Sequence, residues 1–351
     1  MSTPDTADAS LADALAYQHK ILQDVSRTFA LTIPQLPGRL EMVVGNAYLL
    51  CRIADTIEDS DALTPDEKKY FGDLFVAVLA REDAPQSFAD ELPPLLQGAT
   101  LEAERDLIRH TEDVIRITHS FDGEELAAIL RCVRIMTGGM EEFQEGSFKA
   151  GLDNLEHMDA YCYHVAGVVG EMLTELFVAW SPAIAAQKDA LMKRAVSFGQ
   201  GLQMTNILKD IWDDKSRDVV WLPADHFPGI NLRALSTQHA GSSNYQQGLL
   251  KLVGVAVSHL ENALDYTLLI PRSETGIRRF CLWAIGMAVL TLQNIAATPG
   301  FTSGNQVKIS RGAVKGTILA TGCCVRSNLL LRTQFKLAAR GLPRAPGVRI
   351  H

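Results

Sequence analysis

Apolar residues recur at three- and four-residue intervals along most of this chain, and no run alternates in twos between hairpin turns. The periodicity predicts helices over 11–25, 39–58, 65–81, 100–119, 124–146, 154–180, 186–217, 246–269, 275–297 and 309–338. Turn-rich stretches such as Leu92-Pro93-Pro94, Ser181-Pro182 and Thr298-Pro299-Gly300 punctuate them, and none reads as an interdomain linker. The expected fold is therefore all-α, with one helical domain over 11–338. Residues 1–10 are small, polar and acidic and read as a disordered tail without the apolar region of a signal peptide, while 339–351 read as a basic tail. The most apolar windows, 280–297 and 316–331, are interrupted by Gln293 and Asn294 or by Arg326 and Asn328. They fall short of the roughly 20 apolar residues of a membrane span and are expected to be core helices.

Two acidic interruptions of this pattern resemble each other. Asp55-Thr56-Ile57-Glu58-Asp59 and Asp210-Ile211-Trp212-Asp213-Asp214 both read D-x-x-[ED]-D. In a helix, carboxylates four residues apart share a face, so each run offers paired oxygen ligands. Like charges so placed repel unless a cation sits among them, and Mg²⁺, which prefers oxygen and bridges carboxylates to phosphates, suits the site. The neighbouring polar positions extend both faces: Tyr48, Arg52, Asp55 and Asp59 in one helix, and Gln203, Asn206, Asp210, Asp214 and Arg217 in the other. Arginine grips phosphate in a fork, so the combination points to a diphosphate substrate. A single run would pass for a solvated patch or a helix-end charge cluster. Two matched runs embedded among Ile53, Ala54, Ile57, Ile207, Leu208 and Ile211 favour a site.

Charge adds a second asymmetry. The net charge of −8 divides into +11 beyond Glu274, where no acid follows, and −19 before it. The basic end is a candidate for anionic headgroups or substrate phosphates, with solubilising charge as the alternative. Six cysteines with no C-x-x-C pairing read as small buried side chains in a reducing cytoplasm, without zinc. Nothing suggests a nucleic-acid partner.

At these residues the chain resembles the squalene and phytoene synthase family of head-to-head prenyl synthases, most closely the squalene synthases, in a bacterial form. The resemblance rests on segments in the family's order: Ser26-Arg27-Thr28-Phe29-Ala30, Tyr48 through Asp59, Tyr161-Cys162-Tyr163-His164-Val165-Ala166-Gly167-Val168-Val169-Gly170, and Thr205 through Asp210. It implies a single-domain isoprenoid-synthase bundle around a central apolar cavity. It also implies condensation of two farnesyl diphosphates through presqualene diphosphate and reduction with NADPH to squalene, a sterol or hopanoid precursor.

The metal candidates are Asp55, Glu58, Asp59, Asp210, Asp213 and Asp214. Arg52, Lys209 and Arg217, joined through the resemblance by Ser26 and Arg27, are candidate diphosphate clamps. Gln203 and Asn206 would orient water or phosphate, and Phe29 and Tyr48 would line the carbocation chamber. By resemblance, Tyr161 assists the proton removal that closes the cyclopropane. The family order Tyr-Cys-His-Tyr here reads Tyr161-Cys162-Tyr163-His164, which leaves Tyr161 in place and His164 without an assigned role.

No G-x-G-x-x-G follows a strand, so a nicotinamide would bind without a Rossmann unit. Phe280, next to Cys281, resembles the family's reductive segment, and Val307-Lys308-Ile309-Ser310-Arg311 its basic cofactor stretch, with Lys308 and Arg311 as phosphate partners. Ser310 stands where a further basic residue is often found. The alternatives are a dehydrosqualene or phytoene synthase without the reductive step, and an inactive lipid-binding or assembly homologue. The family's eukaryotic members end in a membrane anchor, and this chain, ending in Arg349-Ile350-His351, is expected to be cytoplasmic with at most peripheral membrane contact.

Overall fold

The computed structural model describes residues 4–96, 100–144 and 148–345. Its main helices are α1 (Pro4–Val25), α2 (Arg39–Asp59), α3 (Pro65–Leu79), α4 (Pro85–Glu91), α5 (Glu102–Arg109), α6 (Thr111–Thr118), α7 (Gly123–Gln144), α8 (Leu155–Cys162), α9 (Val168–Trp180), α10 (Lys188–Ser216), α11 (Ser243–Leu269), α12 (Thr275–Ala297), α13 (Arg311–Cys324) and α14 (Asn328–Ala338). The fold is all-α; among the described residues an isolated bridge between Leu152 and Pro223 is the one β-type pairing. The chain forms two compact units, Met1–Glu145 with Glu175–Ala185, and Gly146–Thr174 with Ala186–His351.

In the first unit α2 is buried along Val43, Val44, Ala47, Leu50, Ile53, Ala54 and Ile57. Its one deeply buried amide, Asn46, is satisfied: Nδ2 donates to Val114 O at 2.9 Å and Oδ1 accepts from Thr118 Oγ1 at 2.7 Å. Pro65 and a reciprocal cap start α3, with Thr64 Oγ1 accepting from Glu67 N and Glu67 Oε2 accepting from Thr64 N. The single helix expected over 100–119 is broken at His110. There the Thr111 hydroxyl donates to Ile108 O at 2.8 Å and the His110 ring bonds Asp106 O at 2.8 Å, so side chains take carbonyls that a continuous helix would use. Helix α1 begins at Pro4 rather than near residue 11, with Pro and Asp in its first turn as a helix N-terminus favours. Residues 1–3 of the expected tail lie outside the described residues.

In the second unit the long helix α10 is crossed closely by two others. A Cβ added at Gly199 would lie 2.0 Å from Ala166 O, and one at Gly170 2.1 Å from Ala195 O. At Gly201 the nearest atoms belong to His259 and Leu260 of α11. Only hydrogen at these positions lets backbone approach backbone. Between α8 and α9 the chain makes one π-helical turn, Tyr163–Gly167, at the first of these crossings.

Helix α12 lies in the core of its unit: 67% of its most apolar window is buried. At its N-terminal end the fully buried Arg278 donates to Ile270 O at 2.8 Å and to Asn328 Oδ1 at 2.7 Å, tying α14 to the end of α11. The window 316–331 is not a core helix as expected. It is split by Val325–Ser327 into parts of α13 and α14, and α13 has no buried residue. Its apolar composition resembled that of a core helix, but α13 meets its neighbours through small contacts such as Thr317 against Gly286 of α12 and buries no side chain of its own. The basic end is held as far as Ala345, whose N–H donates to Gly254 O and whose carbonyl accepts from Ser258 Oγ at 3.0 Å. Residues 346–351 lie outside the described residues.

The crossings predict that Gly199→Ala loses at least about 2 kcal/mol of stability in urea unfolding, because backbone must move to admit the methyl. Gly316→Ala, whose Cβ meets nothing within 4 Å, should be neutral or stabilising by up to about 1 kcal/mol through helix propensity.

Candidate active site

The first acidic run occupies the C-terminal end of α2. Arg52 Nη2 lies 2.9 Å from Glu104 Oε1 of α5, and its Nη1 3.9 Å from Asp55 Oδ2. Burial pushes the Asp55 carboxyl up to about 7, opposed by Arg52 and reinforced by the charges of Asp59 and Glu104. Its side chain nevertheless keeps 33% of its surface, so the carboxylate is reachable. Burial also disfavours the charge on Arg52, but Asp55, Tyr48, Glu104 and Asp59 outweigh it and hold that guanidinium above its usual range.

Tyr48, whose hydroxyl donates to Val25 O at 3.3 Å, is raised mainly by burial. Its ring lies 5.0 Å from that of Phe29. Phe29 N in turn donates to Ser26 Oγ at 2.9 Å, which fixes the short turn Phe29–Thr32. The structure thus brings Ser26, Phe29, Tyr48, Arg52 and Asp55 into one neighbourhood, with Arg27 exposed beside Ser26. Glu58 is half-buried, its carbonyl bonded by Lys68 Nζ, and Asp59 is exposed. Glu104 was not foreseen: nothing near it in sequence marks it as a partner of α2.

The second run lies near the C-terminal end of α10. Lys209 Nζ is 3.1 Å from Asp210 Oδ2 and within 3.5 Å of Asn206 Oδ1. Burial raises the Asp210 carboxyl, Lys209 opposes that shift, and the charge of Asp213 adds to it. Asp214 is mostly buried and accepts from Arg217 Nη2 at 2.8 Å. Asp210 and Asp213 instead flank a strap from elsewhere in the chain: a Cβ on Gly304 would stand 3.5 Å from Asp210 Oδ1, 3.4 Å from Asp213 Oδ2 and 3.1 Å from Lys209 O. Trp212 Nε1 holds this strap by donating to Phe301 O at 2.8 Å, and Asn294 Nδ2 donates to Val307 O at 3.1 Å. Lys308 and Arg311, both exposed, follow it directly, and Ser310 caps α13 by accepting from Ala313 N. Gln203 is half-buried on α10.

Tyr161 is buried on the last turn of α8, just before the π turn, and stacks flat on Trp221 at 3.9 Å and 10°. Trp221 is a second unforeseen partner, and Gly304 a third. His164 sets its ring against Tyr163 at 5.3 Å. Phe280 is buried on α12, and burial pushes the adjacent Cys281 thiol up to about 12, so it stays protonated and apolar at neutral pH.

Among the described residues no three His, Cys, Asp or Glu side chains converge to cage an ion unaided. Each run offers one or two hard oxygens, and Mg²⁺ is characteristically held by one or two carboxylates with water and substrate phosphate completing the shell. The neighbouring acids that push Asp55 upward are also a local excess of negative charge that a cation would relieve. The donor set therefore fits magnesium.

The model of the family described as squalene/phytoene synthase matches residues 22–313. A squalene synthase of Cochliobolus lunatus is 29% identical over 306 residues, covering 85% of this chain and 69% of the relative. One of Gibberella zeae is 29% identical over 315 residues, covering 88% and 63%. The chain thus spans about two thirds of the length of these curated relatives. Among solved structures, TcSQS with the ligand BPH1237 aligns with a TM-score of 0.77 at 22% identity, covering 96% of this chain and 94% of that one. A dehydrosqualene synthase in complex with ligand aligns at 0.66 and 19%, covering 92% and 99%. These likenesses establish the fold.

With its folded carboxyl near 7 and an unfolded value near 4, Asp55 keeps its proton in the folded state across that interval. Stability is therefore lost as pH rises through this window, and the loss is complete above 7. In metal-free buffer Asp55→Asn should melt higher than the parent at pH 8, by roughly 1–2 kcal/mol after discounting for solvent screening. The difference should close toward pH 4, as calorimetry across the range would record.

Proposed function

Because this chain belongs to the squalene/phytoene synthase family, we propose that it is a magnesium-dependent squalene synthase, a farnesyl-diphosphate farnesyltransferase that joins two farnesyl diphosphates head to head and reduces the presqualene diphosphate with NADPH. The observation that favours the reductive reading is the strap: Gly304 lies against Asp210 and Asp213, and Lys308 and Arg311 follow it. Acids for metal and cations for cofactor phosphates therefore belong to a single unit, with the strap that bears the cations touching the acids at Gly304. All six acids of the two runs are retained, which speaks against an inactive homologue.

In this proposal Asp55 and Asp59 of the first unit would hold magnesium with support from Glu58, and Asp210 and Asp213 of the second would do so with support from Asp214. Bound there, the metal would act as a Lewis acid on the departing diphosphate. Arg52 presents a guanidinium already held cationic by Asp55 and Glu104, and Arg27, Lys209 and Arg217 add positive charge toward phosphate oxygens. Ser26 donates its hydroxyl, and Gln203 and Asn206 orient water or phosphate. Phe29 and Tyr48 in the first unit, and separately Phe280 in the second, would offer apolar ring faces of the kind that shield a carbocation from water. Tyr161, fixed flat on Trp221, would relay the cyclopropyl proton to diphosphate oxygen as the final acceptor, because a neutral phenol is itself a weak base. NADPH would supply the hydride, its phosphates held by Lys308 and Arg311. The proposal includes a cytoplasmic location with peripheral contact to membrane.

Incubation with farnesyl diphosphate and magnesium should give squalene only when NADPH is present. A polyene absorbing in the ultraviolet, formed equally well without NADPH, would transfer the assignment to dehydrosqualene or phytoene synthesis. Asp210→Asn should lower kcat at least about 100-fold with an unchanged circular dichroism spectrum. Retained turnover would remove the metal role from that run.

A further inference from the structure

We propose that the outer faces of α13 and α14 form a docking surface for an anionic lipid bilayer, a role that rests on the prenyl-transfer reading for its purpose. Large apolar side chains are seldom left in water without a reason when they cluster. Leu319 is 70% exposed, Leu329 75% and Leu337 64%, and Leu330 beside them 48%. Elsewhere among the described residues Leu101, at 64%, and Tyr70, at 51%, are the large apolar residues more than half exposed; both stand far off in sequence, and the Tyr70 hydroxyl donates to Glu91.

The leucines are carried on a fixed support. The two helices form a hairpin in which Gln334 Nε2 donates to Ala320 O at 2.9 Å and lies 3.1 Å from Cys324 Sγ. Arg278 anchors Asn328 at the start of α14, and Leu331 and Phe335 bury its opposite face. Among the described residues nothing covers the outer one, where Leu329, Leu330 and Leu337 stand exposed.

Charge selects the occupant. Exposed Lys315 precedes Leu319 by one turn, and exposed Lys336 and Arg340 flank Leu337. These cations have no ion-pair partner among the described residues, whereas Arg332 and Arg344 are paired with Asp265 and Glu261 of α11. No acid occurs after Glu274 to neutralise them. Leucines interleaved with cations match a headgroup and acyl-chain boundary, where the apolar side chains enter and the charged ends remain with anionic phosphates. A second copy would oppose like charges. Single-stranded nucleic acid is served by stacking rings, and the one ring of α14, Phe335, is buried. A C30 hydrocarbon product, insoluble in water, gives such a seat a use.

The test is co-sedimentation of the full chain with vesicles, alongside turnover of farnesyl diphosphate dispersed in detergent. Binding to phosphatidylcholine vesicles containing phosphatidylglycerol should exceed binding to pure phosphatidylcholine by about tenfold or more, and should weaken with salt. Leu319→Ser/Leu329→Ser/Leu337→Ser should abolish binding to both. Lys315→Gln/Lys336→Gln/Arg340→Gln should abolish the preference for phosphatidylglycerol. Both variants should keep parental detergent turnover and thermal melting, since every changed side chain is exposed. Parental protein that ignores anionic vesicles while making product overturns the docking face alone. Vesicle binding without any C30 product overturns the prenyl reading alone. A dimer, or a complex with single-stranded DNA, that the serine variant loses while vesicles stay unbound would assign the face elsewhere and refute the proposal.

Discussion

A carboxylate that burial and neighbouring acids both push toward its neutral form is unstable as an anion until a cation arrives, and Asp55 is in that condition. Arg52 relieves it only partly, because the same guanidinium lies closer to Glu104 than to Asp55. Asp210 shows the same tendency, with Lys209 as its partial counterweight and Asp213 adding to the repulsion. Both helices therefore carry negative charge that their own cations only partly offset, at one end of otherwise apolar surfaces. Such placement opposes stability and favours ligand capture, a common division of interests at functional sites.

The scaffold that tolerates this strain is built from close backbone crossings. Gly170 and Gly199 let the π turn and its flanking helices lie directly on α10, which fixes the segment that presents Tyr161. A π turn inserts a residue into the helical register and so re-aims the side chains around it. The Tyr161 ring is then fixed by Trp221, and the strap through Gly304 sits against Asp210 and Asp213 because glycine adds no bulk there. Backbone geometry, rather than the acids alone, sets what each acid can face.

Two apolar helical segments of similar composition met opposite fates. The stretch in α12 became core, while the one shared by α13 and α14 became an outer hairpin with its leucines bare. Composition could not separate them, since hydropathy measures what a residue prefers and not which surface is offered to it. Charge inside the window is a sequence feature that sets the second stretch apart, since 316–331 holds Arg326 whereas 280–297 holds no charged residue.

The sequence by itself determined most of the helices, many of their limits, the membership in a family and the repeat of the two acidic runs, because helical periodicity and four-residue spacing are local properties of the chain; the short helix Pro85–Glu91 was not among those expected. It also grouped Tyr48, Arg52 and Asp55, which share one helix face. Tertiary structure alone decided that Glu104 competes for Arg52, that Trp221 backs Tyr161, that Gly304 reaches Asp210, and that Asp214 turns to Arg217 while Asp213 faces the strap. It decided too that residues 100–119 break at His110 and that 316–331 lie outside. The contacts of Glu104, Trp221 and Gly304 depend on which distant segment is packed alongside and how much water it displaces, and burial and through-space charge have no signature in residue order.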